Sequence, residues 1–255
     1  MFRALLLALL FAVPAVAQGR DEIETDRDSF TPAATTAGRK RFIVESAYSF
    51  LDNADSSTTH SFPELLLRYG LTDRFELRLG WNDERTFGAV AESEGVVDSF
   101  GGGEQTLAYG FKLGLTELDG RKPRYALIVQ ALTPTGGADV QTDVFVTVVV
   151  GWEVFGGWRL DASMRYAYVG EEGDHSNLWA PSAVLKVPLG EKVAVHAEYF
   201  GVFTTAAEDN TSAHYFSPGV HYLVTPNFEV GVRLGVGLSR DAADFFTNVG
   251  VGLRF

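Results

Sequence analysis

The chain of 255 residues carries 33 acidic against 21 basic side chains, a formal net charge of −12, and no cysteine. Such acidity excludes a nucleic-acid footprint and a polybasic lipid anchor, both of which need clustered Lys and Arg. The lack of cysteine excludes a disulfide framework, a thiol nucleophile, an iron–sulfur cluster and a cysteine zinc site.

Residues 1–17 read as a secretory signal peptide, with Arg3 as the positive start, residues 4–13 as the apolar stretch and Ala15-Val16-Ala17 as the cleavage site. The apolar run is shorter than the roughly 20 residues a membrane helix needs. Export through the Sec pathway is therefore expected, and loss of Arg3 leaves the processed chain more acidic still. Residues 18–40 form a polar lead without visible period, carrying Asp26, Arg27, Asp28 and Phe30. Two readings stand for it: a segment tucked into a barrel mouth as a plug, or a free tail.

From residue 41 the hydrophobicity has a period of two, the signature of strands with one apolar and one polar face. The first spans residues 41–50, with Phe42, Val44, Tyr48 and Phe50 on one face and Glu45 on the other. Residues 60–69 put Glu64 and Arg68 on the polar face. In residues 74–82, Phe75, Leu77, Leu79 and Trp81 alternate with Glu76, Arg78, Gly80 and Asn82. Residues 105–115 follow with Lys112, then 124–132 with Gln130, then 144–154 with Val144, Val146, Val148, Val150 and Trp152 on one side. Residues 158–169 set Leu160, Ala162, Met164, Tyr166 and Tyr168 against Arg159, Asp161 and Arg165. Residues 179–187, 193–201 (His196 and Glu198), 214–224 and 228–238 (Glu229 and Arg233) come next. The last run, 245–255, sets Phe245, Thr247, Val249, Val251, Leu253 and Phe255 against Phe246, Asn248, Gly250, Gly252 and Arg254.

Short connections at 70–73, 156–157, 188–192 and 225–227 alternate with long or polar ones at 51–59, 83–104, 133–143, 170–178, 202–213 and 239–244, while 116–123 is longer than its class. A soluble sandwich or lipocalin-like barrel also alternates, but it would have to bury the apolar face. Aromatics near strand ends (Trp81, Trp152, Trp158, Tyr166, Tyr168, Trp179, Tyr199, Tyr222, Phe255) fit the girdles of a barrel in lipid better than a dry core. The expectation is an all-β fold: a transmembrane up-and-down antiparallel β-barrel of about twelve strands in the outer membrane of a Gram-negative-type bacterium, both termini periplasmic. Its partners would be outer-membrane lipid, the barrel assembly machinery reading the C-terminal strand that ends at Phe255, and a small-molecule solute.

Three stretches carry a resemblance: Glu24-Thr25-Asp26-Arg27-Asp28-Ser29-Phe30-Thr31 with Gly38-Arg39; Gly70-Leu71-Thr72-Asp73-Arg74-Phe75-Glu76-Leu77-Arg78; and Leu132-Thr133-Pro134-Thr135-Gly136 with Ala197-Glu198-Tyr199. Together they resemble the outer-membrane proteins of the MetA-pathway of phenol degradation family, across essentially the whole processed chain. The lead departs from that family's Thr-Asp-Arg-Pro-Asp-Phe, with Asp28 in the proline place and Ser29 before Phe30. The resemblance implies a channel or transporter for small solutes, hydrophobic or aromatic ones among them, by passive diffusion through the lumen. The alternative function is a non-conducting structural or surface-interaction barrel, with a membrane hydrolase ranked behind it.

The inward charges Glu45, Glu64, Arg68, Glu76, Arg78, Lys112, Arg159, Asp161, Arg165, His196, Glu198, Glu229, Arg233 and Arg254 include pairs spaced by two or four, so each such pair shares a strand face. They read either as a constriction that selects solutes or as a salt-bridge network that fills a narrow lumen. In the plug reading, Asp26 and Asp28 meet arginines such as Arg78, Arg165 or Arg254, and Arg27 meets a lumen carboxylate. No catalytic site is expected: none of His60, His175, His196, His214 and His221 lies in a nucleophile motif, and His214 and Ser217 project to opposite faces. No cofactor is called for, and no spacing marks a metal site. Acidic residues crowding the long connections read as solvated loops or as carboxylates bridging divalent cations to lipid.

Overall fold

The computed structural model describes residues 21–54, 57–87, 105–116, 122–136, 141–155, 157–171, 174–205 and 210–255. The expected signal peptide, Gly101-Gly102-Gly103 and acidic loop residues such as Glu92, Glu94, Asp98 and Asp139 lie outside the described residues. Twelve strands appear among those described: β1 (Phe42–Asp52), β2 (Thr58–Gly70), β3 (Phe75–Phe87), β4 (Gln105–Gly114), β5 (Arg124–Pro134), β6 (Asp143–Glu153), β7 (Arg159–Glu171), β8 (Asp174–Pro188), β9 (Val193–Thr205), β10 (Asn210–Thr225), β11 (Phe228–Gly237) and β12 (Phe245–Arg254). Each pairs antiparallel with its sequence neighbours, and β1 closes the ring on β12 from Ile43↔Arg254 to Asp52↔Phe245. Closure leaves no open edge, so the backbone donors and acceptors are paired within the wall.

Burial is inverted relative to a soluble barrel. In β3, Glu76 is fully buried while Leu77 and Leu79 are 43% and 45% exposed. In β12, Val249 and Val251 face out while Asn248 is buried. The side chains that need water's replacement by hydrogen bonds point inward, and the oily ones point at the surroundings, which suits hydrocarbon and not water. Tyr48, Tyr125, Tyr168, Trp179, Tyr199, Tyr222 and Phe255 are exposed on this outer face.

The strands run further than the hydrophobic pattern alone predicts. The connections expected at 170–178 and 202–213 shrink, because β7 continues to Glu171, β8 begins at Asp174, β9 continues to Thr205 and β10 begins at Asn210. Beyond the apolar band both faces of a strand are polar, so the alternation fades while the ladder hydrogen bonds continue.

The lead lies inside the barrel. It enters at the short-turn end, where Ile23 N–H donates to Pro226 O at 2.8 Å. It turns around Ser29, whose hydroxyl donates to Thr31 O at 2.7 Å, and leaves at the same end, where Thr36 Oγ1 donates to Asp73 O and Lys40 N–H to Gly70 O, each at 2.7 Å. Two glycines admit it. A Cβ on Gly252 would stand 2.3 Å from Thr25 Cγ2, and one on Gly70 would stand 1.8 Å from Gly38 O. At the innermost turn Phe30 packs with Leu51, Ala180, Phe200, Tyr215, Ala242, Ala243 and Phe246.

Candidate functional site

The functional candidate is the lumen with the lead folded into it, and its polar core centres on Asp26. Alternation in β1, β2, β3 and β4 aims Glu45, Arg68, Glu76, Arg78 and Lys112 at one level of the interior. Asp26 Oδ2 accepts from Arg78 Nη1 and Lys112 Nζ at 2.6 Å each and lies 3.8 Å from Arg68 Nη2. Arg68 forks onto Glu76 at 2.9 and 3.0 Å and reaches Glu45 at 2.9 Å. Glu45 Oε2 in turn accepts the Asp26 and Arg27 amides at 2.8 and 2.9 Å, and Glu76 Oε2 accepts the Ala37 amide at 2.6 Å. Three cations thus face three carboxylates, so the cluster is neutral and nearly every polar atom is used. Burial alone would raise the Asp26 carboxyl; Arg68, Lys112 and Arg78 outweigh it and hold the group well below the usual carboxylate range.

A second anchor is Glu198 on β9. Its carboxylate accepts the Phe30 amide at 3.0 Å and both the amide and hydroxyl of Thr31 at 2.7 Å, while Arg233 stands 3.2 Å away. Phe30 stacks on Phe200 with ring centroids 4.4 Å apart, and the Arg165 guanidinium lies 4.6 Å over the Phe30 ring. Arg27 donates to Leu65 O at 2.8 Å and Asn82 Oδ1 at 2.9 Å and sits 3.7 Å from Glu64. Asp161 Oδ1 accepts the Ala34 amide at 3.3 Å.

Nearer the short-turn end, Glu24 pairs with Arg159 at 2.6 Å and accepts a hydrogen bond from the Thr35 hydroxyl. Burial would raise the Glu24 carboxyl, but Arg159 and Lys186 bring it below its ordinary value. Burial would raise the Asp28 carboxyl too, but Lys186 at 2.8 Å outweighs it and lowers that group as well. Thr25 donates to Glu229 at 2.8 Å.

Of the inward charges read from the sequence, Glu45, Glu64, Arg68, Glu76, Arg78, Lys112, Asp161, Arg165, His196, Glu198 and Arg233 are buried in the lumen. Arg159, Glu229 and Arg254 are half-buried. Three pairings differ from the expected ones. Arg254 reaches Asp21 at 3.0 Å and Asn227 at the barrel rim, because its place at the end of β12 leaves it beside the entry of the lead. Arg165 covers the Phe30 ring, and Asp28 meets a lysine. That lysine, Lys186, and the buried His221 are interior residues absent from the set of inward charges read from the sequence. Each is a polar residue between two outward neighbours, in Leu185-Lys186-Val187 and Val220-His221-Tyr222, and that parity is the local signal that marks them. The histidine and serine weighed for catalysis separate as expected: His214 bonds Tyr199 on the outer face, whereas Ser217 donates to Leu234 O.

Cavities border the lead both deep in the lumen and at its mouth. One of about 50 Å³ lies beside Asp26, Arg27, Phe30, Arg78, Asn82 and Arg165. It is about a third of the roughly 150 Å³ that accepts a benzene ring. Another, of about 390 Å³, opens among the short turns and is lined by Glu24, Asp28, Arg159, Lys186, His221 and Glu229 among others.

The fold is similar to that of solved outer-membrane barrels. The COG4313 outer membrane channel from Pseudomonas putida F1 aligns with a TM-score of 0.58 at 16% identity, covering 94% of this chain and 100% of that one. The NanC porin aligns at 0.58 and 10% identity over 83% and 98%, and the KdgM porin at 0.52 and 9% over 84% and 99%. At these identities the likeness is one of fold. No curated protein matches the chain by sequence. The family model described as Putative MetA-pathway of phenol degradation matches residues 25–255, from the lead through the last strand, and the chain belongs to that family.

Proposed function

We propose that the protein is an outer-membrane channel through which small solutes, hydrophobic or aromatic ones among them, diffuse passively, and that residues 21–37 are its plug. The observation that carries this reading is the position of Asp26. The carboxylate on which three lumen cations converge belongs to a segment outside the hydrogen-bonded ladder, so the interior can open without breaking a strand. The likeness to porins supports it, and the cavity of about 50 Å³ at the waist fits a closed state. In this reading the short turns and both termini face the periplasm, the signal peptide directs Sec export, and the strand ending at Phe255 is handed to the assembly machinery. The inward charges then act as the constriction once the lead moves.

The paired interior also favours a second reading, a silent structural barrel. Planar-bilayer recording separates the two. The intact chain should give small or infrequent openings, and deletion of residues 24–32 should raise conductance several-fold while the barrel remains folded. Silence from both chains would overturn the channel; equal conductance from both would overturn the plug.

A further inference from the structure

Asp28 of the lead, His221 of β10 and Glu229 of β11 converge at the edge of the larger cavity, with one ligand-type atom from each lying within 4.8 Å of the others. His221 Nδ1 is 3.3 Å from Asp28 Oδ2 and 3.8 Å from Glu229 Oε1. Tetrahedral nitrogen and oxygen ligands at about 2.1 Å from an ion stand roughly 3.4 Å apart. The histidine-to-carboxylate spacings are therefore within a few tenths of an ångström of closing on one ion, and rotation of the Glu229 side chain can supply the remainder.

The second observation is the state of His221. The residue is only 4% exposed, and its Nδ1 makes no hydrogen bond although it points at two carboxylates. Its other ring nitrogen, Nε2, lies 2.5 Å from His196 Nδ1. A proton on His221 Nε2, shared toward His196, leaves the Nδ1 lone pair free. This is how an outer residue fixes the tautomer and ring angle of a metal-binding histidine. Gly219 makes room for the arrangement, since a Cβ there would stand 2.2 Å from His196 Cε1.

We propose that Asp28, His221 and Glu229 form a binding site for a divalent transition-metal ion, with zinc as the matching probe. One nitrogen and two carboxylate oxygens are a borderline donor set, suited to zinc-like ions more than to calcium or magnesium. The cavity of about 390 Å³ supplies the entry path and a place for water as the fourth ligand. The surrounding charges permit it. Glu24 and Arg159 satisfy each other at 2.6 Å, and Lys186, 2.8 Å from Asp28 Oδ2, is the cation with which the ion competes for Asp28. A bound ion would tie the lead to two strands of the wall. The proposal rests on side-chain geometry and not on conduction, so its failure leaves the channel reading untouched.

The test is calorimetric titration of zinc chloride into the full chain in detergent after chelator treatment, with heat-shifted gel migration as the check on folding. The expected result is one saturable site, abolished in His221→Ala and weakened in Glu229→Gln by more than the roughly 10–100-fold that loss of an outer contact costs. Failure to bind, or binding that survives His221→Ala, would overturn the site and assign any zinc to the acidic loops. Should His221→Ala not fold, zinc-edge anomalous diffraction from wild-type crystals decides. A peak among the three residues supports the site, and its absence there overturns it.

Discussion

Asp26 Oδ2 receives Arg78 and Lys112 at 2.6 Å each and lies 3.8 Å from Arg68, all four side chains being buried. Removing one partner from a buried ionic group costs about 3–5 kcal/mol, because it strands opposite charge out of water. In Asp26→Asn the three cations keep Glu76 and Glu45 but lose the third carboxylate, which leaves one positive charge uncompensated. The lead can leave the lumen and let water reach Arg78 and Lys112, so the cost should fall on docking of the lead and not on the wall. Limited proteolysis of the variant in detergent should cut within residues 21–37 while the barrel core resists, as the wild type does at both places. Equal resistance of the lead in both proteins would refute this assignment of the energy.

At the scale of elements, the lead is held at its outer end by Glu24 on Arg159 and deeper by Asp26 on three cations. Both carboxyls lie below their ordinary values, Asp26 further than Glu24. A depressed carboxyl stabilises the folded state fully above its unfolded value, about 4.3 for Glu, and that contribution is lost as pH falls through the lower folded value. Acidification below about pH 4 should therefore loosen the Glu24 end first, with Asp26 holding to lower pH. Hydrogen exchange, corrected for its intrinsic pH dependence, should show protection lost at residues 21–25 before residues 27–34. Loss in the reverse order would contradict the charge assignment.

For the whole molecule, the decisive property is the exchange of faces: Leu77, Leu79, Val148, Val249 and Val251 outside, Glu45, Arg68, Glu76 and Lys112 inside. Removing such an exterior from detergent exposes a continuous apolar band, and the closed ladder between β1 and β12 must break as a unit when heated. The protein should stay folded with β-type circular dichroism in detergent, run faster on gels unheated than boiled, and aggregate when detergent is withdrawn. A stable water-soluble monomer would be incompatible with this architecture.

The alternation of Phe75-Glu76-Leu77-Arg78-Leu79 and of Phe245–Phe255 was enough to identify strands and their outward face, because a period of two admits only one face to lipid. It also marked most of the charges that point inward, Lys186 and His221 being the ones passed over, since parity is a local property of a strand. Strand ends at Glu171, Asp174, Thr205 and Asn210 escaped it, as polar residues outside the lipid band pair without alternating. The partners escaped it as well. Asp26 meets Arg78 and Lys112, Asp28 meets Lys186 and His221, and Arg254 turns to Asp21, across separations of 52 to 233 residues in the bonds that define these contacts. No local pattern encodes such distances. Curvature of the closed wall and the path of the lead through it decide which inward charge finds which partner, and so decide whether the lumen is filled.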